Sequence, residues 1–204
     1  MTSGLPMKRI NEIFHSLQGE GRHTGTPAVF VRFSGCNLHC PFCDTDHAVG
    51  REMSDEEIIA EVRRHDVPLV VLTGGEPSLQ LDAPFLKKLK EASGATIAIE
   101  TNGTHPLPPG IDWVTLSPKT GIADRDLPIV LDRADEIKVV DTGQDLAPYL
   151  ALPARHADTY LYLQPCHVAD EAQSRANTAS TVRRVLANPL WRLSLQTHRL
   201  LDIP

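Results

Sequence analysis

Cys36, Cys40 and Cys43 fall within eight residues, separated by three and then two intervening positions, with Phe42 just before the last. Thiolates grouped this closely bind soft metals or iron–sulfur clusters. A structural zinc site wants four ligands, usually supplied as two separated pairs. Three thiolates can instead hold three irons of a 4Fe–4S cube and leave the fourth iron open to a substrate or cofactor. Two plainer readings compete: zinc held by the three cysteines with His39 or His47, and three buried thiols without a metal. Ligand count and spacing favour the cluster. The fourth cysteine, Cys166, lies far along the chain and reads as a small apolar residue. A secreted disulfide scaffold would carry many more, well-spread cysteines, and the first ten residues hold no apolar signal core. The expected compartment is therefore the reducing cytoplasm.

Other chemistry-bearing groups sit after apolar runs. Thr73-Gly74-Gly75-Glu76-Pro77 offers backbone that a ligand can approach closely, and Glu76 could accept from an ammonium. Ser117-Pro118-Lys119 and Gln164-Pro165-Cys166-His167 follow two further runs. Taken alone, Lys119 reads equally well as a solvated surface lysine.

Elements must carry these groups. Residues 28–33 (AVFVRF), 69–73 (LVVLT), 96–100 (TIAIE), 113–117 (WVTLS), 136–140 (EIKVV) and 160–164 (YLYLQ) read as strands, with 191–195 (WRLSL) as a closing strand. Helices are expected at 54–64, where Ser54 and Glu57 form a capping box, at 84–93, ending near Gly94, and at 171–187. Apolar strands alternating with helices imply βα units and a parallel sheet. A chain of 204 residues is short for the ~250-residue eight-stranded barrel, so the expected fold is an incomplete, open (β/α)6-type barrel in one domain spanning 1–204. In parallel α/β folds chemistry gathers at the C-terminal strand ends, and every group named so far falls there.

Composition narrows the function. Twenty-six acids against 20 bases give a net charge of −6, which argues against broad nucleic-acid or membrane-surface binding. Apolar residues make up 41% of the chain, ordinary for a globular protein, and the longest apolar run (67–72) is far too short to span a bilayer.

The CxxxCx(aromatic)C loop resembles the radical S-adenosylmethionine (SAM) superfamily. Its flanks are similar to one family within it, the 7-carboxy-7-deazaguanine synthases: Ser16-Leu17-Gln18-Gly19-Glu20-Gly21, Pro27, Val31-Arg32-Phe33-Ser34-Gly35-Cys36 and Cys43-Asp44-Thr45, with further likeness to the C-terminus. The departures are minor, His15 and His39 standing where aromatic residues are common. The resemblance implies that Cys36, Cys40 and Cys43 hold the cluster. The open iron would bind SAM, whose reductive cleavage gives a 5′-deoxyadenosyl radical. Gly75, Ser117, Pro118, Lys119, Gln164, Pro165, Cys166 and His167 would contact SAM. The implied reaction converts 6-carboxy-5,6,7,8-tetrahydropterin into 7-carboxy-7-deazaguanine with ring contraction and loss of ammonia, serving queuosine and other 7-deazapurines. Arg32, mid-strand among apolar neighbours, would pair bidentately with the substrate carboxylate. Leu17, Gln18, Gly19, Thr73 and the carboxylate of Pro204 would complete the substrate pocket, with His198 a weaker candidate. Thr45 would ligate Mg²⁺. Implied partners are an electron donor such as flavodoxin or ferredoxin and a second copy of the chain. A glycyl-radical activase is the alternative within the superfamily, and a zinc-stabilised binding module the alternative outside it.

Overall fold

The computed structural model describes residues 7–43 and 49–204; Thr45 and His47 lie outside them. Strand β1 (Met7–Leu17) pairs antiparallel with β2 (Pro27–Phe33) and with β3 (Arg51–Ser54). From β2 onward the pairing is parallel, through β4 (Leu69–Gly74), β5 (Thr96–Thr101), β6 (Trp113–Leu116), β7 (Glu136–Asp141), β8 (Tyr160–Pro165) and β9 (Arg192–Leu193). The order β3-β1-β2-β4-β5-β6-β7-β8-β9 leaves the sheet open rather than closed into a barrel.

The two-residue period of each strand sends alternate side chains to opposite faces. Val29, Val31 and Phe33 of β2, Val70 and Leu72 of β4, and Ile97 and Ile99 of β5 join the main core, with Phe85, Leu86 and Leu89 from α2 (Ala83–Ser93) and Ile58 and Val62 from α1 (Asp55–Val62). The alternate positions form a smaller cluster of Ala28, Phe30, Leu69, Val71 and Ala98, with Phe14 and Trp113 against it. Further along the same strands this second face turns polar: Arg32, Thr73, Glu100 and Lys138 occupy its next positions.

Local signals fix the helices. Ser54 Oγ accepts from the Glu57 amide at 3.3 Å while the Glu57 carboxylate accepts from Ser54 N at 2.7 Å, the capping box expected from the sequence. Asp82 caps α2 through Phe85 N at 2.8 Å, and Gly94 ends it at φ 67°. The buried Lys8 of β1 joins both helix starts, 2.7 Å from Asp55 and 3.2 Å from Asp82. Beyond α3 (Ala147–Leu150), α4 (Glu171–Ala187) is tied to β7 through Thr181 Oγ1, which donates to Asp141 at 2.8 Å, and through Arg184 on the same carboxylate.

Three features differ from expectation. β1 and β3 extend the sheet at its antiparallel edge, with a register irregularity between Ile10 and Glu12. The sequence MKRINEIFHSL hides β1 because only Lys8 and Ile10 of it are buried and polar residues interrupt its alternation. Among the described residues, no helix covers the crossings from β5 to β6 and from β6 to β7, which are loops. The closing strand shrinks to Arg192–Leu193, followed by α5 (Thr197–Leu201).

Candidate active site

A cavity of ≈ 580 Å³ opens at the C-terminal ends of the parallel strands. Its wall includes Cys36, Cys40 and Cys43, together with Leu17, Gln18, Gly19, Arg32, Thr73, Gly75, Ser117, Lys119, Gln164, Pro165, Cys166, His167 and Pro204. Residues from almost the whole length of the chain thus meet at one site. Pro118 is the exception, buried and outside the wall.

The cysteine loop is held by its neighbours. Gly75 N donates to Phe33 O and Glu76 N to Gly35 O, both at 2.9 Å, so the Gly-Gly turn clamps the start of that loop. Gly74 adopts φ 110°, and a Cβ there would stand 2.4 Å from Phe33 O, so only glycine fits. Glu76 is fully buried and accepts from Ser78 N (3.1 Å), Ser78 Oγ (2.6 Å), Thr101 Oγ1 (2.7 Å) and Asn102 N (2.7 Å). It braces the β4 and β5 ends instead of facing a ligand's ammonium. Asn102 Nδ2 in turn donates to Asn37 Oδ1 at 2.9 Å. On the outer side His39 N donates to Asp124 at 2.9 Å and the His39 ring meets the same carboxylate at 3.3 Å. His39 is outside the cavity wall, so among the described residues the donors of this loop facing the cavity are the three thiols.

That donor set fits a 4Fe–4S cluster. The thiols share one wall, none is in a disulfide, and Leu38 N donates to Cys36 Sγ at 3.4 Å, as an amide does toward a thiolate. Among the described residues no three His, Cys, Asp or Glu side chains gather around a single ion position. Burial pushes the Cys36 and Cys40 thiols up, countered at Cys36 by the Leu38 amide and at Cys40 by the Lys119 charge. Lys119 itself is driven down by burial; its Nζ donates to Ser117 Oγ at 2.6 Å and lies 5.9 Å from the Phe42 ring centroid.

The same cavity carries an aromatic wall and a charge network. Phe14 and Phe30 stack with centroids 4.9 Å apart, and the Arg32 guanidinium sits 5.5 Å from the Phe14 ring with Nε 2.8 Å from Glu12. Lys138, from the middle of β7, bridges Glu20 and Glu100, the latter at 3.1 Å. Thr73 Oγ1 donates to Glu100 at 2.8 Å and Gln18 Nε2 approaches it at 3.4 Å. Gln196 Nε2 donates to Glu20 at 2.9 Å. Burial works against ionisation of Glu20, yet the Lys138 charge and hydrogen bond hold its carboxyl below the usual value. Burial likewise opposes the charge of Lys138, but Glu100, Glu20 and Glu136 together push its ammonium well above the ordinary lysine value. Beneath them Glu136, hydrogen-bonded by Arg22 N at 2.9 Å and Thr115 Oγ1 at 3.2 Å, is pushed up by burial.

The C-terminal segment closes one side. Thr197 N and Oγ1 both donate to Gly19 O at 3.0 Å, and Ser16 Oγ donates to Pro204 O at 2.7 Å. Sequence reasoning did not find Glu100, Lys138, Phe14 or Gln196. Lys138 carried a signal, a lone cation in the apolar run EIKVV, like that of Arg32 in AVFVRF.

The sequence profile of the radical SAM superfamily matches residues 30–133. The chain is 56% identical to 7-carboxy-7-deazaguanine synthase of Bacteroides thetaiotaomicron, covering 97% of this chain and 99% of that protein. It is 43% identical to the protein of the same name from Nitratidesulfovibrio vulgaris, covering 96% and 99%. The crystal structure of QueE from Escherichia coli is similar at a TM-score of 0.75, with 31% identity and 93% of each chain covered.

Proposed function

The chain belongs to the radical SAM superfamily and, within it, to the 7-carboxy-7-deazaguanine synthase family, and from that premise we propose that it converts 6-carboxy-5,6,7,8-tetrahydropterin into 7-carboxy-7-deazaguanine and ammonia. The observation that carries this reading is one cavity whose wall holds three thiols together with a guanidinium, an aromatic pair and half-buried acceptors suited to a flat polar heterocycle. When bound, the cluster and SAM supply the radical that takes a hydrogen from the substrate. Cys36, Cys40 and Cys43 would hold the cluster. Gly75, Ser117, Lys119, Gln164, Pro165, Cys166 and His167 would form the SAM wall, with Pro118 behind it. Lys119 brings a charge beside Cys40.

The substrate would lie toward Leu17, Gln18, Gly19, Arg32, Thr73 and Pro204. Arg32 is steered by Glu12 and Phe14 toward the cavity, where a guanidinium can grip a carboxylate. Thr45, carrying a hydroxyl next to the cysteine loop, would contribute to a Mg²⁺ site completed by substrate and water oxygens. A small reduced protein such as flavodoxin or ferredoxin would deliver the electron, two copies would assemble as a homodimer, and the thiols would require the reducing cytoplasm. Among the described residues no helix is long and apolar enough to cross a membrane.

The test is anaerobic reconstitution with iron and sulfide, then incubation with dithionite, SAM, Mg²⁺ and the tetrahydropterin. Formation of the deazaguanine acid with equimolar ammonia is expected. Protein that carries stoichiometric zinc and forms no product would overturn the reading. In the same assay Thr45→Ala should slow turnover and blunt its Mg²⁺ response; an unchanged Mg²⁺ titration would remove that role.

A further inference from the structure

α4 is held to the sheet mainly by polar bonds. Of its 17 residues only Thr181 is buried, with Val185 packed partly on the core. Ser174, Asn177, Thr181 and Arg184 are spaced three or four apart and so share one helix face. Each reaches the end of a strand or a loop that forms the cavity wall. Thr181 and Arg184 hold Asp141, directly after the wall residue Val140. Asn177 Nδ2 donates to Cys166 O at 2.7 Å. Ser174 Oγ donates to Val168 O at 2.9 Å and accepts from Val168 N at 3.0 Å. Cys166, His167, Val168 and Ala169 line the cavity beyond the end of β8, outside any strand or helix. This stretch of wall therefore takes its shape from α4 and not from the ladder of the sheet.

Asn177 sets one peptide of that wall. Gln173 Nε2 donates to Asn177 Oδ1 at 2.8 Å, which leaves the amide nitrogen of Asn177 to face the loop. The Cys166 carbonyl is thereby drawn to the helix. In a trans peptide C=O and N–H point in opposite directions, so the His167 N–H is turned away from α4. Among the described residues nothing accepts from it, and a backbone donor of a cavity-lining residue stays available to a ligand. Were this peptide to swing over, a carbonyl would stand where the donor is. We propose that Asn177, steadied by Gln173, is a positioning residue that fixes the Cys166–His167 peptide and through it the affinity of this wall for SAM. This rests on the reading of the wall as the SAM site given above. Asn177 itself lies outside the cavity wall and acts through the peptide alone.

Anaerobic isothermal titration of SAM into the reconstituted enzyme without reductant tests this, with iron content, the urea midpoint and the KM for the tetrahydropterin measured alongside. Asn177→Ala should raise the SAM dissociation constant about tenfold, as loss of one hydrogen bond would, with iron content and the tetrahydropterin KM at native values. Asn177→Asp should raise it further, because a carboxylate oxygen then faces the Cys166 carbonyl. Thr178→Ala, which removes only the bond from Thr178 Oγ1 to Ser174 O within the helix, should bind SAM as the native protein does. Alanine is the better helix former at both positions, so the urea midpoint should not follow the SAM affinity, as it would if Asn177 served the helix alone. If Asn177→Ala does not fold, Ser174→Ala, which releases Val168 beside the same peptide, should weaken SAM binding about threefold or more. Native SAM affinity in a folded Asn177→Ala protein, or in Ser174→Ala where that one is used, would overturn the inference. So would an equal loss in Thr178→Ala, or Asn177→Asp binding more tightly than Asn177→Ala. Native protein that binds no SAM would overturn the functional reading as well. Native protein that binds SAM with the expected ordering of variants but forms no deazaguanine acid would overturn the substrate reading and leave this inference standing.

Discussion

Side chains that look similar in the sequence do different work at this site. Cys40 is a cavity-facing thiol beside Lys119, and Cys40→Ala should leave reconstituted protein with iron and acid-labile sulfide near background and no product formation. Glu76 looked like a ligand-facing carboxylate because it follows two glycines at a strand end, but the structure surrounds it with Ser78, Thr101 and Asn102. Glu76→Ala would orphan those donors in a dry interior and should cost about 3–5 kcal/mol, read as a lowered urea midpoint, while cluster binding fails only as a consequence. The cysteines, Arg32 and Gly75 were legible because their types and spacing are unusual in themselves. Glu100 and Lys138 were not, because a lone charge in an apolar strand has meaning only once the fold shows which opposite charge it meets. The pairing that matters spans 118 and 38 residues.

The central strands declared themselves through continuous apolar runs, and the capped helices through Ser54 and Gly94. β1 and α5 did not, because each is half-exposed and stabilised by pairing with a distant segment. Their junction is tight: a Cβ on Gly19 would stand 2.2 Å from His198 Nδ1. Gly19→Ala should therefore push the C-terminal segment off the cavity wall. The KM for the tetrahydropterin should rise about tenfold or more with the cluster content unchanged, and amides in 194–204 should exchange faster with deuterium. A contrasting element is α4, whose N-terminus is capped by Asp170 accepting from Ala172 N at 2.8 Å and Gln173 N at 3.1 Å, directly after Val168 and Ala169 of the cavity wall. Asp170→Ala should cost ~1 kcal/mol of stability, read as a lowered urea midpoint.

Across the whole molecule, the length and the alternation of strands with helices foretold an open parallel barrel, whereas the antiparallel edge and the helix-free crossings depend on long-range pairing that composition does not encode. Stability should depend on pH through carboxyls that the fold pairs or buries. Burial opposes the charge of Asp82 and Asp112, but the Phe85 and Ile97 amides with Lys8 and Lys90 hold both below the ordinary 3.8. Their stabilisation is complete above that value and lost as pH falls through the lowered one. Glu136 has the opposite sign: raised by burial, it contributes fully below the ordinary 4.5 and loses that contribution as pH rises through its folded value. The thermal midpoint should fall as the medium is acidified below about pH 4, where the lowered Asp82 and Asp112 take up protons, measured by calorimetry under anaerobic conditions. The hydrogen bond from Ser16 to Pro204 also has a practical side. An affinity tag fused after Pro204 would begin at the rim of the cavity and crowd its entrance, so purification handles belong at the other end of the polypeptide.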